Sequence, residues 1–479
     1  MDLTSISPAK QRVIQQMDAI ASKREKWINR NKYYYKNLEN FFRYNIPTGA
    51  KVLEIGCGTG FLLSLLKPTR GVGIDISPEM IKTAKALHSE YDFINADVEN
   101  LDITEKFDFI IISDTIGYFE DIQRAFVQLQ KVSTPETRII ITYINFSWLP
   151  LLNLGERIGL KMPNARLNWL DEKDITNLLI LTDHDVVKAG KRFLFPFYFP
   201  ILSWLFNKYI ANLPFFNSFC LNQFIIARST LNNQPRSQDL SVSVIIPARN
   251  EKGNIENALK RMPKMGSHTE VIFVEGNSTD DTLAEIKRVC GSYSSFMDVK
   301  YAIQEGKGKG DAVRKGFGMA KGDILMILDA DLTVPPEDLP KFYDALASGK
   351  GEYINGTRLV YPMEDQAMRT LNRIGNNFFS LMFSWLLSQR LKDTLCGTKV
   401  LTKKNYEKLI ANRSYFGEFD PFGDFDLIFG SAKLNLKIVE VPIRYKAREY
   451  GETNISRFKH GWLLIKMTFF AMGKIKFIQ

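Results

Sequence analysis

The chain has 479 residues, a net charge of +10 and an apolar fraction of 45%. This length and composition exclude a disordered, collagen-like or coiled-coil protein and are typical of two or three globular domains. The four cysteines are far apart and form no C-x-x-C pair, which excludes a zinc knuckle or a disulfide scaffold and favours a reducing compartment.

A polar stretch at 229–240, with a proline and no apolar period, divides the chain into two halves. Each half begins with a strand-like apolar run and then alternates β-branched runs with amphipathic segments, which predicts two α/β domains with mostly parallel sheets. The amino terminus lacks the apolar core of a secretory signal, so we expect none. We expect a first domain at 1–230 with an aromatic cap at 145–230, a linker at 231–240 and a second domain at 241–479.

The first motif is VLEIGCGTG at 52–60, which predicts a strand, a glycine loop and a following helix. Gly56, Gly58 and Gly60 allow a sharp turn and a close approach of the backbone to a ligand. Because G-x-G-x-G alone is a weak signal, a nicotinamide site of the Rossmann type stays open. Three later strand-like runs end in the acids Asp75, Asp97 and Asp114.

With Glu54 and these acids, residues from about 30 to 230 resemble the class I S-adenosylmethionine-dependent methyltransferases, which have a Rossmann-like fold. The resemblance implies S-adenosylmethionine as cofactor, with Glu54 and the three glycines around its methionine part. It also implies Asp75 at the ribose and Asp97 at the adenine. Asp114 completes the cofactor set, and with Tyr118 and His184 it is a candidate for the methyl-acceptor side. A domain that binds the donor without transferring its methyl group is the alternative.

Residues 193–224 are rich in phenylalanine and are interrupted by Pro196, Pro200 and Pro214. One interpretation is a cap whose aromatic side chains pack into a core. The other is an apolar acceptor pocket or a surface that contacts a membrane.

In the second half, GDILMILDAD at 322–331 places five apolar residues before Asp329 and Asp331, which predicts a buried central strand. Residues two apart on a strand point the same way, so we expect both carboxylates to face one site at the strand's carboxyl end. Such a pair suits Mg²⁺ or Mn²⁺ bound together with a diphosphate. A Walker B strand is similar, but no G-x-x-x-x-G-K-[ST] loop precedes this one.

Polar loops elsewhere in this half are suited to a nucleotide sugar. IIPARNE and VEGNSTDDT follow strand-like runs and fit a ribose or base, and GKGKGDAVRKG brings lysines toward a phosphate. The predicted substrate-binding residues are Pro247, Glu251, Glu275, Lys309 and Asp329.

These loops, with NGTR at 355–358, DTLCGTK at 393–399 and the run at 439–458, resemble the inverting family 2 glycosyltransferases of the GT-A fold. The closer resemblance is to the dolichyl-phosphate mannose synthase group. It implies a nucleotide sugar, GDP- or UDP-linked, a polyprenyl phosphate lipid as acceptor, and a metal on Asp329 and Asp331. It further implies that Arg358, Arg373 and Arg448 surround the phosphates and that Glu251 faces the nucleotide.

The chain departs from that family at two positions. Glu275 stands where paired aspartates are usual, which leaves the choice between UDP and GDP open, and Thr333 stands where a glutamine is common. A phosphate acceptor needs little help from a base, whereas a glycan hydroxyl acceptor in cell-surface polysaccharide synthesis would need one. Asp424 and Asp426 are available for that role, or they are helix N-terminal acids that complement the dipole.

The apolar runs at 374–390 and 459–479 predict helices that either pack on the catalytic core or lie in a membrane interface. No run reaches the roughly 18–20 apolar residues of a membrane-spanning helix. Since no nucleic-acid motif is present, we interpret the basic charge as attachment to a membrane surface rather than to nucleic acid. We therefore expect a bifunctional cytoplasmic enzyme, peripheral on the inner face of the membrane, that also methylates an intermediate of the same pathway.

Overall fold

The computed structural model describes residues 7–163, 168, 170–230, 239–358, 360, 370–415, 423–446, 448, 450 and 457–477. The chain falls into two compact units, Met1–Asn232 together with Phe477–Gln479, and Asn233–Lys476. The described residues of each unit form one seven-stranded sheet. The boundaries expected at 230 and 240 stay predictions, because residues 231–238 lie outside the described residues.

The first unit alternates strands and helices as the sequence predicts. Its strands are β1 (Lys51–Ile55), β2 (Arg70–Asp75), β3 (Asp92–Asn95), β4 (Phe109–Ser113), β5 (Arg138–Ile144), β6 (His184–Arg192) and β7 (Asn222–Ser229). Its helices are α1 (Pro8–Ala21), α2 (Arg24–Arg30), α3 (Lys32–Asn45), α4 (Phe61–Leu66), α5 (Pro78–Leu87), α6 (Ile122–Leu129), α7 (Leu149–Arg157), α8 (Glu172–Leu181), α9 (Pro200–Lys208) and α10 (Pro214–Asn217).

The strand order in this sheet is β3-β2-β1-β4-β5-β7-β6, with β1 to β5 parallel and β7 antiparallel to both of its neighbours. Strand β4 lies at the centre. Ile110 and Ile112 belong to the core cluster on one face and Ile111 to the cluster on the other, and all three are fully buried. Consecutive apolar residues therefore form a strand here because helices cover both faces of the sheet.

The second unit repeats this architecture. Its strands are β8 (Val242–Ala248), β9 (Thr269–Glu275), β10 (Asp298–Ile303), β11 (Ile324–Ile327), β12 (Tyr353–Thr357), β13 (Lys399–Thr402) and β14 (Ile438–Pro442). Its helices are α11 (Lys252–Lys260), α12 (Thr282–Tyr293), α13 (Lys309–Met319), α14 (Leu339–Ala347), α15 (Thr370–Leu387), α16 (Lys403–Ala411), α17 (Asp424–Lys433) and α18 (Arg457–Ala471).

The second sheet has the order β10-β9-β8-β11-β13-β12-β14. Strands β8 to β11 are parallel, and β13 is antiparallel to both β11 and β12. The predicted central strand is β11, whose Met326 and Ile327 belong to core clusters on opposite faces. The predicted fold class, two α/β domains with mostly parallel sheets, is thus confirmed.

Helices α15 and α18 each have a buried and an exposed side. In α15 Phe383 is buried and Leu381 is 72% exposed; in α18 Met467 is buried and Phe469 is 69% exposed. Both helices therefore pack on the core with one side and keep an exposed apolar side. In the described part of the chain, no helix has the length and hydropathy needed to cross a membrane.

The aromatic stretch at 193–224 mostly faces outward. Phe193 is buried, but Phe197, Phe199 and Phe215 are each more than half exposed. The interpretation as a packed core therefore applies to Phe193 and not to these three residues.

Candidate active sites

A cavity of about 340 Å³ lies in the first unit, where β1, β2 and β4 end. Its lining includes all but one of the residues predicted for the cofactor: Glu54, Gly56, Gly58, Asp75, Asp97 and Asp114. Gly60 is not among the lining residues. It precedes α4 with a φ of 79°, and a Cβ there would lie 2.5 Å from the Phe93 ring, so it serves the turn, and its predicted ligand contact stays a prediction.

The glycine loop and Asp75 hold one another in place. The backbone N–H of Gly58 donates to one Asp75 carboxylate oxygen and that of Ser77 to the other, both at 2.9 Å. Each oxygen keeps a second acceptor site, as two ribose hydroxyls would require. Gly56 has a φ of 70°, and a Cβ there would lie 2.2 Å from Thr115 Cγ2, so only glycine fits this turn.

Glu54 is buried at the end of β1, and its Oε2 has no hydrogen-bond partner among the described residues. Burial raises the pKa of this carboxyl to about 8. Because Glu54 also lines the cavity, a donor group on a ligand bound there would satisfy this oxygen. The ammonium of an amino-acid-like ligand fits, which is the part of S-adenosylmethionine expected beside Glu54.

Helices α1 and α2, which sequence reasoning missed, cover this cavity. Lys10 Nζ lies 2.5 Å from Asp97 and 2.7 Å from Glu99, and the Thr59 hydroxyl donates to Glu25 at 2.8 Å. Lys10 and Asp97 are 87 positions apart, and no local pattern in the sequence links them. The residue predicted to bind adenine is therefore already paired with a cation from the first helix.

A polar cluster surrounds Asp114, which also lines the cavity. Its carboxylate accepts hydrogen bonds from the hydroxyl of Tyr34, from Thr142 at 3.1 Å and from Asn222 at 3.2 Å. Burial raises the pKa of Asp114 although these bonds oppose the shift. Tyr34 and Tyr118 also line the cavity. Asp114 has a φ of 53°, a strained conformation that is common where side chains serve a site.

His184, a candidate for the acceptor side, does not line the cavity. It lies at the start of β6 and is 3% exposed, with its ring near Phe126 and its Nδ1 3.1 Å from the Thr182 hydroxyl. Burial lowers its pKa to about 4. It is buried because β6, at the edge of the sheet, is packed against α6 and α8, and its candidate role on the acceptor side stays a prediction.

In the second unit Asp329 and Asp331 follow β11, and each has its own cation. Lys309 Nζ, at the start of α13, lies 2.6 Å from Asp329, and Arg448 lies 2.9 Å from Asp331 and 3.1 Å from Glu251. Burial alone would raise the pKa of Asp329, but the charges of Lys309 and other nearby cations outweigh this effect. The net result is a lowered pKa. Among the described residues no group of three or more metal-ligating side chains occurs, and the metal expected on Asp329 and Asp331 stays a prediction.

The DTLCGTK segment packs against this pair. A Cβ on Gly397 would lie 1.8 Å from Asp329 Oδ2, so any side chain there would displace this carboxylate. Arg358, predicted to contact phosphate, forms a bidentate pair with Asp393 at 2.7 and 2.8 Å and lies over the Tyr445 ring. It thereby fixes the segment's first residue, and its predicted phosphate contact stays a prediction.

The remaining predicted residues are dispersed. Pro247 lies in β8 and is half-buried, and Glu275 ends β9 and accepts from the backbone of Ser278 at 2.6 Å. Thr333 donates its hydroxyl to Asp331 at 2.8 Å, so it supports a carboxylate. Asp426 lies 3.6 Å from an arginine in a separate cavity of about 40 Å³. The side chains of Arg373 and Asp424 lie outside the described residues.

Residues 46–180 match the family model for a methyltransferase domain, and residues 243–409 match that for glycosyl transferase family 2. The chain is similar to Glycosyltransferase AglJ of Haloferax volcanii, with 26% identity over 226 residues that cover 47% of this chain and 69% of that protein. It is also similar to the dolichol-phosphate mannosyltransferase of Pyrococcus furiosus, with 29% identity over 222 residues that cover 45% of this chain and 59% of that protein.

Among solved structures, a S-adenosylmethionine-dependent methyltransferase of Thermotoga maritima is 15% identical and covers 45% of this chain and 99% of that one, with a TM-score of 0.34. The family matches confirm both resemblances predicted from the sequence. The chain therefore has one stretch that matches a methyltransferase domain and a second stretch that matches glycosyl transferase family 2.

Proposed function

We propose that the second unit transfers a sugar from a GDP- or UDP-linked donor to a polyprenyl phosphate at a membrane surface. The main support for this proposal is the group of charged residues around the loop after β11. Two carboxylates suited to a metal lie there beside Lys309 and Arg448, whose charges suit phosphates. The name of the Pyrococcus furiosus relative supports a lipid phosphate as acceptor. The enzyme would act in the cytoplasm, peripheral on the inner face of the membrane.

Asp329 and Asp331 would hold Mg²⁺ or Mn²⁺ with the donor diphosphate, and the ion would stabilise charge on the leaving group. In the structure Lys309 and Arg448 neutralise these acids. Carboxylates engaged by a metal would leave both cations to bind phosphate oxygens. An acceptor phosphate oxygen forms the bond to the anomeric carbon, and the bond to the nucleoside diphosphate breaks with its electron pair on that diphosphate. An ionised phosphate has no proton to remove.

A glycan hydroxyl acceptor is the alternative, and it would need a base. Asp426 lies beside Arg413, in a cavity whose described lining includes neither Asp329 nor Asp331. This separation favours the phosphate acceptor.

The first unit would methylate an intermediate of the same pathway. When bound, S-adenosylmethionine supplies an electrophilic methyl group. The acceptor oxygen or nitrogen bonds to the methyl carbon, the carbon–sulfur bond breaks with its electrons on sulfur, and the acceptor proton passes to Asp114, directly or through Tyr34. The raised pKa of Asp114 suits it to that role.

Incubation of the full chain with labelled sugar nucleotides, a short polyprenyl phosphate and Mg²⁺ or Mn²⁺ tests the first proposal. We expect organic-soluble product with one donor, its loss with a chelator or Asp331→Asn, and its retention in Asp281→Asn, which changes an exposed acid. Label that enters only water-soluble saccharide would contradict the lipid acceptor.

A further inference from the structure

The first unit exposes many large apolar side chains in two segments, 146–160 and 197–219. Ile201 is 80% exposed and Phe215 71%, and Leu151 and Ile158 are each more than half exposed. We call these two segments the apolar face. Single exposed apolar residues are ordinary, but a concentration of this kind marks a surface that contacts another molecule or a membrane.

The two segments lie side by side. Trp148, at the start of α7, donates its ring N–H to the backbone of Phe219 at 2.8 Å, and Asn145 donates to the backbones of Ser218 and Cys220 at 3.1 and 2.9 Å. These bonds join the chain before α7 to the chain after α10. The exposed residues therefore belong to neighbouring parts of one surface.

The charges on this surface match an anionic bilayer. Residues 193–221 contain no aspartate or glutamate, and Glu156, the single acid of 146–160, is paired with Lys161 at 3.3 Å. Lys208 Nζ lies 5.8 Å from the Trp204 ring and 5.9 Å from the Tyr209 ring. Amphipathic aromatic rings with a lysine among exposed apolar side chains are typical of an element lying at the headgroup level of a membrane.

The apolar face also borders the methyl-donor cavity. Leu152 of α7, Met162 just beyond it, and Pro196 and Leu221 from the aromatic stretch all line that cavity. A molecule held in the membrane under the apolar face can therefore place its polar head beside Asp114. A small water-soluble acceptor would not need such a surface.

We propose that the apolar face docks the first unit on an anionic membrane, and that its methyl acceptor is a saccharide carried by a membrane lipid. The acceptor part rests on the methyl transfer proposed above. The bonds made and broken are those already given, with a saccharide hydroxyl as the attacking oxygen and Asp114 as the group that takes its proton. The docking part rests on the surface alone.

Docking can be measured on the full chain because all four native cysteines are buried. A polarity-sensitive thiol dye is attached to Ile201→Cys or Phe215→Cys, and to Phe296→Cys as a matched control in the second unit, where Phe296 is 68% exposed. With phosphatidylcholine vesicles containing phosphatidylglycerol we expect a blue shift at 201 and 215, reduced without phosphatidylglycerol, and none at 296. Absence of a shift with every vesicle would overturn docking. So would a shift without vesicles that grows with protein concentration, since a second copy would then cover the face.

The acceptor class is tested with a preformed polyprenyl-phosphate mannose in the same vesicles and labelled S-adenosylmethionine. We expect Ile201→Asp combined with Phe215→Asp to lower methyl transfer about tenfold or more, because two apolar anchors are lost. Calorimetry should show unchanged donor binding, and Phe296→Asp should leave transfer unchanged. Transfer to soluble mannose that is indifferent to vesicles overturns the lipid-linked acceptor. No transfer by the unaltered protein to any acceptor contradicts the proposed methylation itself, whereas the dye measurement still decides docking.

Discussion

Glu54 shows at the scale of one residue how folding and donor binding compete. Burial raises its pKa from 4.5 to about 8. Between pH 4.5 and pH 8 the folded protein keeps a proton on Glu54 that the unfolded chain has lost. The contribution of Glu54 to the free energy of unfolding is therefore fully present below about pH 4.5 and is lost as the pH rises through 8. The same unpartnered oxygen is the one suited to a cationic ligand.

We therefore predict that Glu54→Gln stabilises the protein at pH 8 by about 4 kcal/mol, because the buried ionisation disappears. It should weaken S-adenosylmethionine binding at least about tenfold, because the ligand's ammonium would favour the ionised form of Glu54 and a glutamine amide cannot take that charge. Urea unfolding at pH 5 and pH 8 and calorimetry measure both effects. The exposed Glu90→Gln is the control, and an unchanged pH dependence in Glu54→Gln would contradict the assignment.

Gly397 offers a second residue-scale prediction, in the glycosyltransferase domain. A Cβ at this position would meet Asp329 at 1.8 Å, so Gly397→Ala displaces a carboxylate assigned to the metal. We expect sugar transfer to fall by about tenfold or more, since small misplacements of site groups are costly. Gly291→Ala is the matched control because its Cβ would meet nothing within 4 Å. Equal rates in the two variants would remove Asp329 from the site.

At the scale of elements, strand ends were predictable and the packing of α1, α2 and α3 was not. Asp75 and Asp329 each follow an apolar run, and such acids gather where parallel strands end. Lys10 and Tyr34 reach the donor cavity from 87 and 80 positions away, and no local period encodes such a pairing. Arg448 was predicted only through the family resemblance, and its pairing with Asp331 spans 117 positions.

Lys10 tests how firmly α1 is attached to the donor cavity. Its side chain is 12% exposed and serves the carboxylates of both Asp97 and Glu99. We predict that Lys10→Ala lowers the free energy of unfolding by about 2–4 kcal/mol, because two buried acids lose their cation. Lys82→Ala, which removes an exposed i,i+3 pair, should cost less than about 0.5 kcal/mol. Similar losses in both variants, measured by urea unfolding, would mean that α1 is loosely held.

At the scale of the whole molecule, alternation of strands and helices was enough to predict two mostly parallel sheets. The antiparallel orientation of β7 and β13 was not predictable, because an apolar run has the same pattern whether its strand is parallel or antiparallel to its neighbours. Membrane contact likewise could be inferred from composition, but its assignment to the first unit needed the exposures of Ile201 and Phe215.

Each core cluster draws its described residues from a single unit, two clusters from each. Substitutions in separate cores with no shared partner act independently. We therefore predict that Asp75→Asn abolishes S-adenosylmethionine binding while leaving sugar transfer unchanged, and that Asp331→Asn does the reverse. Both activities are measured in both variants and in the double variant. In the double variant each activity should be lost to the same extent as in the corresponding single variant. A change in sugar transfer in Asp75→Asn would instead show that the two active sites are coupled.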